Sequence, residues 1–257
     1  MFKKLGVQLY TVRDFMNTPE EVRDTFRKLK AMGYDEGQTA GAKIPYDQYA
    51  AIAREEGIDL VGTHESLQRM IDDFPAALAI QKVLNDCPVM GTGGGGLMPT
   101  VADAEKKIAQ MNEICAKLKP LNMLFSYHNH SHEFLKLENG KTAFEMICDG
   151  LDKETGTICL DTFWVQNGGG DVRYWIDRLA GRIEILHLKD MKKSMHENDW
   201  FKTYYCEIGQ GNLYWEGIMD SAEKAGVKHY VVEQDIAEDP FKSLAISSEY
   251  LHKNFMN

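Results

Sequence analysis

Carboxylate and imidazole side chains recur where short apolar runs of this chain end, a placement that could support metal-assisted proton transfer. The polar ends are QLY at 8–10, THE at 63–65, YHNHSHE at 127–133, CLD at 159–161, LHLKD at 186–190 and VVEQD at 231–235. Mixed carboxylate and imidazole groups suit Mn, Mg, Co or Zn ions, and imidazole titrates near neutral pH. The pattern predicts one divalent-metal site beside groups that can carry protons.

A Glu, an Asp, a His and a Glu that follow four consecutive apolar runs form a candidate ligand set. Because no Cys belongs to this set, a structural zinc site is disfavoured. The alternative is that each polar group caps a strand or forms an ion pair, which usually explains one isolated residue. That explanation would have to hold at four equivalent positions at once, so we favour a metal site.

Eight short apolar runs alternate with longer helical patterns along the chain. The expected strands lie at about 5–10, 34–39, 58–63, 87–91, 121–128, 156–161, 183–189 and 228–233. This alternation implies parallel strands joined by right-handed crossovers, and eight such units in 257 residues fit a closed barrel. We predict a single-domain α/β fold, a (β/α)8 TIM barrel over residues 1–257, with its functional groups at the carboxyl ends of the strands.

The clearest helix signal lies near the amino terminus. Thr18 is suited to cap this helix, Pro19 suits its first position, and Glu21 could close a capping box. The apolar residues that follow share one face, and Gly33 ends the helix.

Two segments indicate loops. The glycine-rich stretch 91–96 lacks both the Lys-Ser/Thr of a phosphate loop and the spacing of a dinucleotide fingerprint, so it predicts a flexible loop after strand four. His196 and the charges around it indicate a solvated loop.

Composition and charge narrow the classes of partner. The 29 Lys and Arg against 39 Asp and Glu give a net charge of −10, which disfavours nucleic acid and anionic membranes. No apolar stretch has the length of a membrane span, and Arg13 and Asp14 come before any apolar run long enough for a signal peptide. Five cysteines without a C-x-x-C pair predict reduced, mostly buried thiols and a cytoplasmic protein.

The segments GVQLYTVRD, GTHESL, SYHNHSHEF, LDTFWVQNGG, LHLKD and VVEQD together resemble the sugar phosphate isomerase/epimerase family, which has a xylose isomerase-like TIM barrel. The resemblance runs from the first strand to the eighth and covers essentially the whole chain. It implies one divalent ion held by Glu, Asp, His and Glu from strands five to eight. Asp161, His187 and Glu233 match the last three of these positions.

Strand five departs from the family's pattern. Many relatives, such as ketose 3-epimerases and inosose isomerases, carry the metal-binding Glu at the strand end, where this chain has His128. The nearest carboxylate, Glu133, lies five residues further on. Either Glu133 folds back onto the metal or His128 takes the ligand position, and we favour Glu133. The departure also removes from the strand end the Glu that acts as an acid/base in the epimerases.

Four residues are candidates for catalysis. Glu233, or one of the strand-five histidines His128 and His130, would act as the base. Lys189 would bind a substrate oxygen or stabilise an enolate, and its alternative is a salt bridge to a neighbouring acid. The alternative for His130 is a hydrogen bond that supports the metal site.

Four further residues are candidates for substrate contact. His64 faces the predicted site and could also carry protons, and Trp164 could stack on a sugar face or simply pack. Gln38 ends strand two, where relatives often have Glu. Glu207 lies in a long segment after strand seven that could cover the site.

Together these residues predict a metal-dependent isomerase, epimerase or lyase that removes a proton next to a carbonyl of a sugar, keto-sugar or inosose. The cofactor would be one divalent ion (Mn, Co, Mg or Zn) and the partner a small-molecule carbohydrate, with a homo-oligomer also possible. One alternative is a nuclease of the endonuclease IV class, which shares this barrel but needs three zinc ions and basic loops. The other is a non-catalytic carbohydrate-binding barrel, which predicts weak or no metal binding.

Overall fold

Eight parallel strands have their carboxyl ends on one side of the fold. The structure is a computed structural model that describes residues 2–84, 87–194 and 202–256, so the predicted loop at His196 lies outside the described residues. All of the following strands except β8 and β9 belong to the barrel: β1 (Gly6–Gln8), β2 (Glu36–Gln38), β3 (Asp59–Gly62), β4 (Val89–Thr92), β5 (Leu124–His128), β6 (Gly156–Asp161), β7 (Ile183–Leu188), β8 (Asp190–Lys193), β9 (Thr203–Cys206) and β10 (His229–Val232).

The barrel is closed between its third and fourth strands. The eight barrel strands form one row in the order β3-β2-β1-β10-β7-β6-β5-β4, and each pairs in parallel with its neighbours in the row. Thr63 N donates to Val89 O (3.0 Å) and Glu65 N donates to Gly91 O (2.9 Å), which joins the two ends of that row. The predicted (β/α)8 barrel is confirmed.

Helices surround the barrel and bury one face each against it. They are α1 (Pro19–Ala31), α2 (Tyr46–Glu55), α3 (Leu67–Asp72), α4 (Phe74–Val83), α5 (Val101–Leu118), α6 (Ala143–Gly150), α7 (Thr162–Asn167), α8 (Val172–Arg178), α9 (Trp215–Ala225) and α10 (Pro240–Phe255). Thr18 caps α1 as predicted, because its Oγ1 accepts from Glu21 N (3.2 Å). The Glu21 carboxylate accepts from Asn17 N (2.7 Å), so the expected reciprocal bond to Thr18 is replaced.

A small apolar layer fills the barrel interior. Val89, Cys159, Ile185 and Val231 form a cluster separate from the main core between strands and helices. Side chains alternate along a strand, so Cys159 shares its face with Asp161, two residues further on. The same spacing relates Ile185 to His187 and Val231 to Glu233. The apolar layer therefore lies directly below the polar residues at the strand ends, inside the barrel.

An antiparallel hairpin of β8 and β9 follows β7 and was not predicted as strands. The buried carboxylate of Asp190 organises the segment after it. It accepts hydrogen bonds from the backbone N–H groups of Met191, Gly209, Gly211 and Leu213 and from the indole of Trp215. A side chain at Gly211 would collide with this carboxylate, and Gly209 has φ +83°. The glycines of EIGQG therefore allow the backbone to wrap around Asp190.

All five cysteines are buried and unpaired, as expected. Within the described ranges, no helix is both long enough and apolar enough to cross a membrane.

Candidate active site

Four buried side chains converge at the carboxyl ends of β5, β6, β7 and β10. His128, Asp161, His187 and Glu233 each offer one atom that could bind a metal ion, and these four atoms lie within 4.8 Å of one another. The group contains three of the four residues predicted as metal ligands, and His128 is its fourth member. Residues far apart in sequence meet here because the strand ends of a parallel barrel open on one side.

Asp161 has one carboxylate oxygen bound by the backbone and one directed into the group. Its Oδ1 accepts from Trp164 N (2.9 Å) and so caps α7, while its own N donates to Asn129 Oδ1 (2.9 Å). Its Oδ2 is 3.8 Å from His187 Nδ1 and 3.7 Å from Lys189 Nζ. The capping bond fixes the orientation of the carboxylate and leaves Oδ2 available.

The buried atoms of this group fit a divalent ion. Asp161 Oδ2 and His128 Nδ1 are both buried without a hydrogen-bond partner in the described structure. Leaving a buried polar atom unpaired costs about 1–3 kcal/mol. His187 Nδ1 lies 3.0 Å from Glu233 Oε2. Two imidazoles and two carboxylates are a donor set that suits Mn, Co or Zn, and an ion among them would engage the unpaired atoms.

Glu133 has a different environment from the one we expected. Its Oε1 accepts from Tyr127 Oη (2.7 Å) and its Oε2 accepts from His130 N (2.8 Å). Burial raises the pKa of the Glu133 carboxyl, against the opposing effect of the Tyr127 hydrogen bond. The short 3-10 helix His132–Phe134 turns this side chain back onto its own strand end. Of the two candidates from strand five, His128 belongs to the four-residue group, and Glu133 supports the loop.

Lys189 lies beside the group and is almost completely buried, with 1% of its side chain exposed. Its ammonium is 2.7 Å from Asp235 Oδ2 and 3.3 Å from Glu233 Oε2, in addition to its contact with Asp161. Two aromatic rings flank it, with centroids 5.0 Å away for Trp164 and 5.1 Å away for Tyr205. The chain thus holds a fixed positive charge next to the candidate ligand oxygens.

The charges of Lys189 and Glu233 stabilise each other. Burial alone would lower the pKa of Lys189, but Glu233, Asp161 and Asp235 outweigh it and raise that pKa. Burial alone would raise the pKa of Glu233, but Lys189 and His187 hold it well below its usual value. Glu233 is therefore an ionised carboxylate and a weak base.

Gln38 is fully buried behind His187. Its Oε1 lies 2.5 Å from His187 Nε2 and accepts from Gln8 Nε2 (3.0 Å). We expected Gln38 to contact substrate, but the structure directs its side chain to a histidine of the four-residue group instead. The Gln38 amide is engaged by His187, Gln8 and the carbonyl of Thr63, and Gln38 is not among the residues that line the cavity described below.

A cavity of about 520 Å³ opens above the group. Its lining includes six residues predicted from sequence as catalytic or substrate-binding: His64, His128, His130, Trp164, Lys189 and Glu233. Other lining residues received no predicted role: Gln8, Tyr10, Arg13, Tyr205 and Asp235. Two of the candidate ligands, His128 and Glu233, therefore line a space large enough for a small molecule, and Asp161 and His187 are buried next to them.

The three histidines that line the cavity lie close together and are neutral at neutral pH. The ring centroid of His128 is 4.8 Å from that of His64 and 4.8 Å from that of His130. Burial, with the charge of His187, lowers the pKa of His64 to about 3 and that of His128 well below its usual value. Burial also lowers the pKa of His130 to about 4. Neutral imidazoles can bind a metal or accept a proton.

The sequence analysis missed two residues that line the cavity, because they lie in elements that it did not predict. Arg13 lies in a 3-10 helix (Leu9–Phe15) directly after β1, where its guanidinium stacks over the Tyr10 ring at 3.8 Å. Its position in GVQLYTVRD, just past a strand end, was the available signal. Tyr205 belongs to the unpredicted hairpin. By contrast, Glu207 is half-buried in the turn after β9, where its carbonyl accepts from Gln210 N (2.9 Å).

Solved structures share the fold of this chain at low sequence identity. Two are described as sugar phosphate isomerase/epimerases from Parabacteroides distasonis. One is 20% identical with a TM-score of 0.84 and covers 99% of both chains, and the other is 19% identical with a TM-score of 0.81, covering 98% of this chain and 94% of its own. An L-ribulose 3-epimerase is 13% identical with a TM-score of 0.74 and covers 98% of this chain and 94% of its own.

The family assignment comes from the sequence itself. A search of curated proteins found no match. The family model described as the xylose isomerase-like TIM barrel matches residues 26–251, which is most of the chain. The match spans every barrel strand from β2 to β10 and all four members of the buried group. The chain belongs to the xylose isomerase-like TIM barrel family.

Proposed function

We propose that this protein is a divalent-metal-dependent isomerase or epimerase of a sugar, keto-sugar or inosose. The observation that carries the proposal is the convergence of His128, Asp161, His187 and Glu233 next to a cavity of about 520 Å³, which His128 and Glu233 line. The family supports an activity on carbohydrates, and the cavity has room for a monosaccharide-sized molecule.

The four-residue group would hold the ion. Each member offers one potential ligand atom, and among the described residues Asp161 Oδ2 and His128 Nδ1 are buried without a hydrogen-bond partner. A bound divalent ion would polarise a substrate carbonyl and lower the pKa of the adjacent C–H bond.

His130 and His64 are the groups that we propose for proton transfer. Both rings line the cavity and both are neutral, whereas Glu233 is held ionised by Lys189 and is a weak base. His64 Nδ1 lies 3.3 Å from Gln8 Nε2, which orients the ring from β1. The backbone N of His130 donates to Glu133 Oε2, which holds the main chain of the loop at this residue. Glu133 therefore supports the segment that carries His130.

Lys189 is proposed to stabilise negative charge on a substrate oxygen. Its ammonium faces the cavity between Trp164 and Tyr205, and a fixed positive charge in a buried site acts strongly on developing charge. The aromatic rings offer apolar surface to the C–H face of a sugar. Return of the proton to a different carbon, or to the other face of the same carbon, gives isomerisation or epimerisation. A substrate with a leaving group next to the carbanion would undergo elimination at the same site.

The nuclease alternative fits these residues less well. Within the described structure, the potential metal ligands cluster at one place, around His128 and His187, and not at three separate positions. The cations that line this cavity are Arg13 and Lys189, and carboxylates compensate Lys189. A phosphodiester backbone would meet a chain of net charge −10.

A screen of keto-sugars in deuterated water, read by proton NMR, tests the proposal. Enzyme reconstituted with Mn²⁺ should exchange the proton next to the carbonyl of a true substrate, and chelated enzyme should lose this exchange by about a thousandfold or more. His130→Asn should lose exchange while it still binds Mn²⁺. Turnover of a substrate that is unaffected by complete metal removal would refute the proposal.

A further inference from the structure

A second group of potential ligands lies directly beneath the first. His128, Cys159 and His187 each place one ligand atom within 4.8 Å of the other two, and all three residues are buried. This group shares its two imidazoles with the group described above. It replaces two carboxylates by one thiol.

The strand register explains why the thiol lies one layer deeper. Cys159 pairs with His128 across β5 and β6, whereas Asp161 pairs with His187 across β6 and β7. Cys159 precedes Asp161 by two residues, so both side chains point into the barrel. Its packing partners are the apolar residues Val89, Ile185 and Val231. The imidazoles thus have carboxylates above them and a thiol below.

We propose that the barrel contains a second, deeper metal position, formed by Cys159, His128 and His187, which binds thiolate-preferring divalent ions such as Cd²⁺. The inference rests on the metal site of the proposed function, because the two positions share both histidines. Occupation of one position removes the imidazoles from the other. Thiolate-preferring ions would therefore inhibit the enzyme by competing with Mn²⁺ or Mg²⁺.

Ligand chemistry separates the two positions. Soft thiolate ligands select ions such as Zn²⁺ and Cd²⁺, whereas carboxylates favour Mg²⁺ and Mn²⁺. Binding at the deeper position would release the thiol proton to solvent as a metal–sulfur bond forms, with no change of oxidation state. With an ion at the deeper position, the carboxylates of Glu233 and Asp161 would still be neutralised by Lys189, whose Nζ is 3.3 Å from Glu233 and 3.7 Å from Asp161.

The test is a titration of the full-length protein with Cd²⁺, read by the ultraviolet charge-transfer absorption of a cadmium–thiolate bond. The wild type should show this band at one equivalent, and Cys159→Ser should lose it. Cys115→Ser is the matched control, because Cys115 is also buried but lies on α5, outside the barrel interior. This control should keep the band. Bound Mn²⁺, followed by its electron paramagnetic resonance signal, should be displaced by Cd²⁺ in the wild type and bind normally to Cys159→Ser.

Two outcomes overturn the inference, and they are distinct from failure of the proposed function. Cd²⁺ that displaces Mn²⁺ without a thiolate band would place both ions at the carboxylates. A band that persists in Cys159→Ser would assign it to another cysteine. Failure of the wild type to bind Mn²⁺ at all would instead refute the metal site of the proposed function. Cys159→Ala, measured alongside Cys159→Ser, provides a second variant should the serine perturb folding.

Discussion

The side-chain carbonyl of Gln38 lies 2.5 Å from His187 Nε2, and this contact determines which nitrogen of the imidazole is available. A carbonyl oxygen only accepts hydrogen bonds, so Nε2 carries a proton and Nδ1 is the nitrogen that could bind an ion. Gln8 donates to the same oxygen, and Gln38 Nε2 donates to Thr63 O (3.4 Å), which together fix the orientation of the amide. His187 Nδ1 consequently points at Glu233 and Asp161, where an ion would bind.

Removal of this acceptor should weaken metal binding, although Gln38 would not itself contact the metal. We expect Gln38→Ala to reduce Mn²⁺ affinity by about 10- to 100-fold, the usual effect of losing a group that orients a ligand histidine. Gln38→Glu keeps an acceptor at this position and should retain most of the affinity. Isothermal titration calorimetry measures both, and Gln68→Ala, on the surface of α3, is the control. Equal affinity of Gln38→Ala and the wild type would contradict the assigned role.

The structure also makes a clear distinction between the two strand-five candidates. His128→Ala and His187→Ala should lose bound Mn²⁺ in elemental analysis, because each removes one member of the proposed four-residue ligand group. Glu133→Gln should keep the metal and lose about 1 kcal/mol of stability, since its carboxylate accepts from Tyr127 and from the backbone of His130. Far-ultraviolet circular dichroism checks that each variant is folded. Loss of Mn²⁺ from Glu133→Gln, with full occupancy in His128→Ala, would restore the sequence-based preference for Glu133.

The sequence allowed the barrel and three members of the group to be predicted because they depend on short-range regularities. Period-two alternation places Asp161 and His187 at strand ends on the inward face, and strand-helix alternation brings those ends together. The position of Glu133 depends on the turn His132–Phe134, which no periodicity encodes. The same limit applies to Gln38, because its strand-end position was evident, whereas the direction of its side chain depends on contacts with His187 and Gln8 from other strands.

The LHLKD and EIGQG motifs were interpreted separately, although the structure joins them into one unit. Asp190 of the first motif accepts from the backbone of Gly209 and Gly211 in the second (3.0 and 3.1 Å). Glu207, the residue to which sequence analysis gave a role in substrate binding, has no side-chain part in this unit. The signal available in the sequence was the pair of glycines rather than the carboxylate, because only glycine allows the backbone to approach Asp190 so closely.

Asp190→Asn should therefore destabilise the segment that follows β7. The amide of asparagine has one acceptor oxygen where the carboxylate has two, and it places an N–H₂ group against backbone donors. Several of the hydrogen bonds that the buried Asp190 carboxylate accepts would therefore be lost. We expect a reduction of about 3 kcal/mol in the free energy of unfolding, measured by urea denaturation. Asp177→Asn, at an exposed position on α8, should change it by less than about 0.5 kcal/mol. A similar small change in Asp190→Asn would show that the network contributes little.

Lys189 should affect metal affinity and activity in opposite directions. Its ammonium is 3.3 Å from Glu233 and 3.7 Å from Asp161, so it competes with an ion for the same two carboxylates. A divalent ion and an ammonium about 4 Å apart repel by about 8 kcal/mol at an effective dielectric constant of 20, and about 1.4 kcal/mol already changes affinity tenfold. Lys189→Met should therefore bind Mn²⁺ at least about tenfold more tightly. The metal-free variant should also be less stable, because Glu233 and Asp235 lose their partner.

Activity should fall in the same variant, since the fixed positive charge beside the substrate is gone. We expect solvent exchange of the substrate proton to decrease by about 100-fold or more at saturating Mn²⁺, as is typical when one group that stabilises developing charge is removed. Lys141→Met is the matched control, because Lys141 pairs with Asp149 at the surface, and its loss should change neither quantity. Calorimetry and deuterium exchange measured on one preparation separate the two effects. Weaker Mn²⁺ binding by Lys189→Met would mean that this lysine orders the carboxylates for the ion rather than competing with it. Unchanged solvent exchange in this variant would show that Lys189 takes no part in the reaction.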